Sequence, residues 1–342
     1  LAKINMYKEF GSGFHYIHSQ KKSENFFENN DNYHLYFSGR VALYNLLKFG
    51  IKKYNWTKVG FPSYYCHEVV NFFTDLDIEI LYYDYNPEAN NKIVWEDDPQ
   101  SVIVNVLYFG QIKADVTHLH NTTIIDDLTH DLGAFNTSTA DYSFASLRKQ
   151  LPLGIGGMCK YKDGENIDTD PEYTALAEKT YLKVVSAMFL KEEYLLNNLE
   201  NNDLYRRYYL EAEDTFKEPL TDSLMPAQAE LTLSTFPVEE MLEKTGDNID
   251  LGAGLIKKSS NFEIIPSNFC LLLLFKNSDI RNQLRQFLIE NKIFPAVLWP
   301  NQRNSKDQDL ESRVLNIHMD FRYSGQEIEY IANKINSFFD NV

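Results

Sequence analysis

A chain of 342 residues, 44% hydrophobic and 24% charged, has apolar material enough for one large buried core and a smaller second domain. Its net charge of −16 excludes broad electrostatic adhesion to nucleic acid or anionic lipid, because both need basic surface. The longest apolar run, residues 269–275, is too short to span a bilayer. The first residues lack a basic stretch followed by an apolar core, so a soluble, cytoplasmic protein is expected.

In chain order, residues 21–32 are polar and read as a loop. Ser38-Gly39 then precedes Val41, Ala42, Leu46, Leu47 and Phe49 at helical spacing, which predicts a helix over 38–54 capped by Ser38. Short apolar runs at 58–61, 79–83, 102–107, 123–126 and 142–144 read as strands, with a helix near 65–74. Such alternation predicts an α/β layout with a mostly parallel sheet, in which ligands gather at the carboxyl ends of the strands. Residues 171–209 read as long helical stretches. Beyond residue 260 the pattern changes to strands at 264–265 and 270–275, a helix at 280–290, a strand at 294–299 and a closing helix at 326–339. The expected division is a large domain over 1–215 and a small C-terminal α/β domain over 216–342. Cys66, Cys159 and Cys270 are few and far apart, which fits reduced thiols rather than a disulfide framework.

One region points to a specific chemistry. Lys149 lies between a run containing Ser143 and Ser146 and the glycine-rich turn Gly154-Ile155-Gly156-Gly157. Upstream, an apolar strand ends in Asp126-Asp127, with His130 three residues on. An amine nucleophile, hydroxyls for an anion and a carboxylate for a cation are what a pyridoxal phosphate (PLP) enzyme requires. Lys149 is then the Schiff-base and proton-shuttling lysine, because burial lowers a lysine's pKa and frees the neutral amine. Asp127 is the acid facing the pyridine nitrogen, since strand alternation turns Asp126 the opposite way. The opening turn of the 38–54 helix, with Gly39, Arg40 and Val41, suits a phosphate through its free N–H groups and dipole. Ser143 and Ser146 are both candidates for the phosphate hydroxyl. His130 is a candidate to support the cofactor's oxygen or orient the carboxylate, and Tyr65 to stack on the ring.

Five strings in register carry a family resemblance: SGRVAL (38–43), FPSYYC (61–66), LYFGQIKAD (107–115), IIDDLTH (124–130) and YSFASLRK…GIGG (142–157). Together they resemble the DegT/StrS-type aminotransferases that act on nucleotide-linked keto-sugars, within the fold type I PLP-dependent enzymes. The resemblance implies a large domain with a mostly parallel sheet flanked by helices, and a smaller C-terminal α/β domain. It implies PLP as cofactor, an amino acid donor such as glutamate, a keto-sugar nucleotide acceptor, products for surface polysaccharide, and a homodimer. Three positions depart from the family pattern. Six positions separate Ser143 from Lys149, one more than the family spacing; Arg40 replaces a threonine; and Cys66 stands where an aromatic stacks on the cofactor, leaving Tyr64 or Tyr65 for that face. Near the C-terminus, Arg322 is a candidate for a substrate carboxylate or phosphate.

Three other readings compete. A dehydratase or lyase would keep PLP and change the reaction, although dehydratase relatives replace the lysine by histidine. A catalytically silent relative would keep the fold alone. A metal-dependent hydrolase would use His118 and His120 with Asp115, Asp126, Asp127 and His130, whereas the PLP reading needs no metal.

Overall fold

The computed structural model describes residues 9–18, 32–88, 92–165, 171–218 and 220–340, so the polar loop expected at 21–32 lies almost wholly outside the described residues. The central sheet takes strands β1 (Tyr33–Tyr36), β2 (Lys58–Pro62), β3 (Glu79–Tyr83), β4 (Ser101–Val106), β5 (Thr123–Asp127), β6 (Tyr142–Ser146) and β7 (Gly157–Lys160). Their spatial order is β1-β7-β6-β5-β4-β2-β3. Strands β2 to β6 run parallel, while β7 is antiparallel to both β6 and β1. This is the α/β class expected from the alternation of short apolar runs. Both faces of the sheet are covered, so β4 is buried at every position and reads as a nearly unbroken apolar run.

Helix α1 (Gly39–Tyr54) packs on β6 and β7 and buries Val41, Ala42, Leu46 and Leu47. Its start is capped by Ser38, and its end by Asn55 in the left-handed region at φ 55°. The helix expected near 65–74 is shorter: one α turn (His67–Val70) runs into a 3-10 turn (Asn71–Phe73). The long helical stretch is two helices, α2 (Ala175–Leu195) and α3 (Asp203–Thr215). The asparagine-rich link divides them, with Asn197 at φ 67° taking the backbone conformation that ends α2.

A second sheet holds β8 (Phe262–Ile265), β9 (Leu271–Phe275) and β10 (Val314–Ile317), with β9 in the middle and both pairings antiparallel. Helices α4 (Val238–Leu255), α5 (Ser278–Glu290) and α6 (Gly325–Asp340) pack around it. Strand β10 and the preceding helix, Ser305–Arg313, escaped the sequence reading. The strand expected at 294–299 reduces to Ile293–Phe294, paired in parallel with Phe10–Gly11, and a bridge between Ala296 and Asn316. Two cores result. The first still includes Phe216, Met225, Leu233 and Met241; the second gathers Phe10 with Ile249, Leu273, Leu315 and Ile331.

The segment around residues 9–14 ties the units together. The Lys191 ammonium on α2 donates to Gly11 O, Ser12 Oγ and Gly13 O at 3.1, 2.8 and 2.7 Å, and it lies 3.5 Å from Glu9. The Gly11 N–H donates to the Tyr323 hydroxyl at 2.7 Å. Among the described residues no helix is long and apolar enough to cross a membrane.

Candidate active site

Three strand ends and one helix start meet at a cavity of about 250 Å³. Strand β5 delivers Asp127. In its register with β6, Asp127 lies beside Phe144 and Asp126 beside Ser143, so the two pairs face opposite sides of the sheet. Asp127, Phe144 and Ser146 line the cavity. Asp126 is turned away and accepts from the Lys113 ammonium and the Ser138 hydroxyl, both at 2.6 Å. Ser143 follows it, donating to Ser138 Oγ at 3.3 Å. Strand alternation thus separates the two candidate hydroxyls: Ser146 is on the cavity wall and Ser143 is not.

Helix α1 points its first turn into the same space. A Cβ on Gly39 would lie 2.8 Å from Ser146 Cβ and 2.9 Å from its Cα, so only glycine allows this approach. Gly39 and Arg40 line the cavity. Val41 does not: its side chain is in the core, and its N–H donates to Ser38 Oγ at 3.4 Å. Arg40 donates to Phe216 O at 2.9 Å, and burial together with Arg148 holds its pKa below the ordinary value. The helix start, the Ser146 hydroxyl and Arg40 offer donors for an anion, on a wall that also carries Glu68 and the Arg148–Glu213 pair.

Asp127 is an acceptor instead. The Tyr65 hydroxyl donates to its Oδ2 at 2.7 Å and the Thr129 N–H to its Oδ1 at 3.0 Å. Burial still raises its pKa, while those two hydrogen bonds hold the rise back. Thr129 also accepts from the Ser146 N–H at 3.1 Å, tying the end of β5 to the end of β6.

Lys149 ends the 3-10 turn Leu147–Lys149 that follows β6. Its side chain is exposed and lines the cavity. The Arg148 charge and then burial bring its pKa down to about 8, against an opposing pull from Glu213. About a tenth is therefore the neutral amine at pH 7, far more than an ordinary lysine holds, and this is the form able to attack a carbonyl or take a proton. Arg148 donates to Glu213 Oε1 at 2.5 Å and lies 4.4 Å from the centre of the Phe216 ring.

The expected Tyr65 lines the cavity, with its hydroxyl held by Asp127, while Tyr64 donates to Leu298 O at 2.5 Å and is not on the wall. Trp299, 5.7 Å from the Tyr65 ring, lines the cavity too, as do Phe144 and Phe216, and Cys66 lines the wall as a free thiol. His130 stands behind the wall. It is stacked between Phe269 at 4.3 Å and Trp299 at 5.2 Å, and its Nδ1 accepts from the Phe109 N–H at 3.2 Å. Burial, then the Lys149 charge, lowers its pKa to about 3, so it is neutral with its proton on Nε2. It supports Trp299 rather than reaching into the cavity.

Arg322 is also placed away from the cavity. It forks onto Asp320 at 2.6 and 2.7 Å, donates to Gly13 O at 3.2 Å and lies 4.3 Å from the Phe14 ring centre. Burial works against both charges, yet the pairing keeps Asp320 below and Arg322 above their ordinary pKa values. Sequence reasoning missed Trp299, Thr129, Arg148 and Glu213 as site residues. Among the described residues no three His, Cys, Asp or Glu side chains come together as metal ligands, and Asp126 and Asp127 face opposite sides of the sheet.

No family model matches the chain, and no curated protein matches it. Solved structures do. Helicobacter pylori PseC, an aminotransferase involved in the biosynthesis of pseudoaminic acid, is similar at 14% identity and a TM-score of 0.65, over 98% of this chain and 100% of that one. A DegT DnrJ EryC1 StrS aminotransferase from Brucella abortus is similar at 17% identity and a TM-score of 0.57, over 90% and 85% of the two chains. Spr1654 from Streptococcus pneumoniae, solved in a PMP-form, is similar at 12% identity and a TM-score of 0.58, over 91% and 87%. The chain has the fold of sugar aminotransferases, the fold type I α/β architecture. At these identities the likeness reaches no further than architecture.

Proposed function

We propose that this protein is a PLP-dependent aminotransferase that moves an amino group from an amino acid to the keto group of a nucleotide-linked sugar, acting in the cytoplasm as a homodimer toward surface polysaccharide. The observation that carries the reading is one cavity with a lysine of lowered pKa, a buried carboxylate and hydrogen-bond donors for an anion on its walls. Those walls fit PLP: an anionic phosphate suits the α1 start with Ser146 and Arg40, and Asp127 suits a protonated ring nitrogen. Bound there, the cofactor would supply an electron sink and a carbonyl through which an amino group is exchanged.

The chain's own residues do the rest. Asp127 would keep the ring nitrogen protonated, with Tyr65 and Thr129 fixing its orientation. Lys149 would take and pass on the proton lost from the donor's amino-bearing carbon. Trp299, backed by His130, would cover one ring face. The overall exchange balances without an outside oxidant: the donor leaves as a keto acid, and the acceptor's carbonyl becomes an amine.

Purified protein supplied with PLP tests this. The expected result is a visible absorbance band abolished by borohydride, with the reduced adduct mapped to Lys149. A Lys149→Ala protein that keeps the reducible band would refute the assignment. A panel of keto-sugar nucleotides then identifies the acceptor.

A further inference from the structure

Beside the cofactor cavity lies a larger chamber of about 440 Å³, and the wall between them is an ion pair. Arg148 and Glu213 line both spaces. Arg148 donates from two nitrogens to the two Glu213 oxygens, Nη1 at 2.5 Å and Nη2 at 3.4 Å. The chamber beyond is mostly apolar, walled by Phe14, Val184, Met188, Tyr209 and Phe294. Helix α3 sets Arg206, Tyr209, Leu210 and Glu213 along one face at helical spacing, so the chamber runs about 10 Å from Glu213 to Arg206.

We propose that Arg148 binds the carboxylate of the amino donor and that this chamber receives the donor's side chain, which is therefore apolar or aromatic. The inference rests on the aminotransferase reading above. Arg148 directly precedes Lys149, and both line the cofactor cavity, so a carboxylate held by Arg148 brings the adjoining amino-bearing carbon beside the lysine. Glu213 already presents a carboxylate to the guanidinium fork, and its side chain is half exposed. A donor carboxylate replaces it in kind, while Glu213 turns to solvent. The chamber disfavours a second carboxylate. Its other cation, Arg206, is already 3.3 Å from Glu9, and the rest of the wall is mostly apolar side chain, so a second carboxylate gains less there than an apolar group does. Glutamate, the donor implied by the family resemblance, is thus the poorer fit.

Calorimetric titration of cofactor-free protein with hydrocinnamate and with glutarate tests the assignment, since neither carries an amino group. Hydrocinnamate is expected to bind about tenfold tighter than glutarate or better, and Arg148→Gln to weaken it by about tenfold. Met188→Trp, which fills the chamber, has the same expected effect. Leu210 is 68% exposed, so Leu210→Glu places a carboxylate on the wall while sparing the fold, checked by circular dichroism. Equal binding of the two acids, or hydrocinnamate binding untouched by all three variants, overturns the proposal. The borohydride-sensitive band is read on the same preparation. A band without selective binding refutes the donor site alone; selective binding without a band refutes the aminotransferase reading and the donor assignment with it.

Discussion

The Tyr65 hydroxyl reaches across from the end of β2 to donate to Asp127 Oδ2 at 2.7 Å, joining the two strand ends on either side of β4. Asp127 carries a carboxyl whose pKa is raised by burial above the usual 3.8. Above that pH the folded protein holds more protons than the unfolded chain, so this group's stabilising contribution is lost as pH rises. Tyr65→Phe removes a donor to the charged form and should steepen that loss. Thermal melts at pH 7 should show the variant destabilised by about 1.5–3 kcal/mol, a gap that narrows on acidification.

Arg148 is the largest cause of the lowered Lys149 pKa. In Arg148→Gln the lysine should titrate nearer its ordinary 10.5. The pH at which Lys149 becomes half-reactive toward an amine-modifying reagent, followed by mass spectrometry, should move upward from about 8. An unchanged midpoint would show that burial alone sets it.

Ser143 and Ser146 are one bond type on two faces of β6. Ser146→Ala should weaken PLP retention on dialysis by about tenfold, the worth of one hydrogen bond to a charged group, while Ser143→Ala leaves it unchanged. Gly39→Ala should cost at least as much, because its methyl meets Ser146 backbone that cannot rotate away. Equal retention by the two serine variants would remove Ser146 from the phosphate contacts.

Lys191 is buried with a pKa brought down to about 7, chiefly by burial and then by Arg322. Between about 7 and 10.5 the unfolded chain binds more protons, so stability from this group rises with pH across that window. Lys191→Met should lose about 2–4 kcal/mol at neutral pH, since among the described residues Glu9 then keeps Tyr205 and Arg206 alone. The variant should also lose that pH-dependent gain and show faster hydrogen exchange over residues 9–18.

Much of the site was legible because it is local. Ser38 as cap, Asp127 closing an apolar strand and Lys149 before a glycine turn are each encoded within a few residues, and the alternation of runs carried the α/β class. Choosing between Ser143 and Ser146 needed the β5–β6 register, which a one-residue insertion in the motif obscures. Arg322 has its carboxylate two residues away in Asp320, a signal for a structural pair that the sequence did offer. Trp299 and Glu213 belong to segments far along the chain, and only the packing of those segments onto the cavity makes them site residues. The strand 294–299 stops at Phe294 apart from the Ala296 bridge, and at its far end Trp299 joins the aromatic stack around His130 instead of a ladder.

Gly11 and Tyr323, hydrogen-bonded in the folded protein, are 312 positions apart, and Phe10 pairs with Ile293. On a ribosome, residues 9–14 therefore wait until residues 293 and 323 have emerged before they make these two contacts. Contacts of such long sequence separation form late in the folding reaction. Interactions absent from the transition state act mainly on the rate of unfolding, so this segment governs how long a finished molecule lasts more than how quickly one is made.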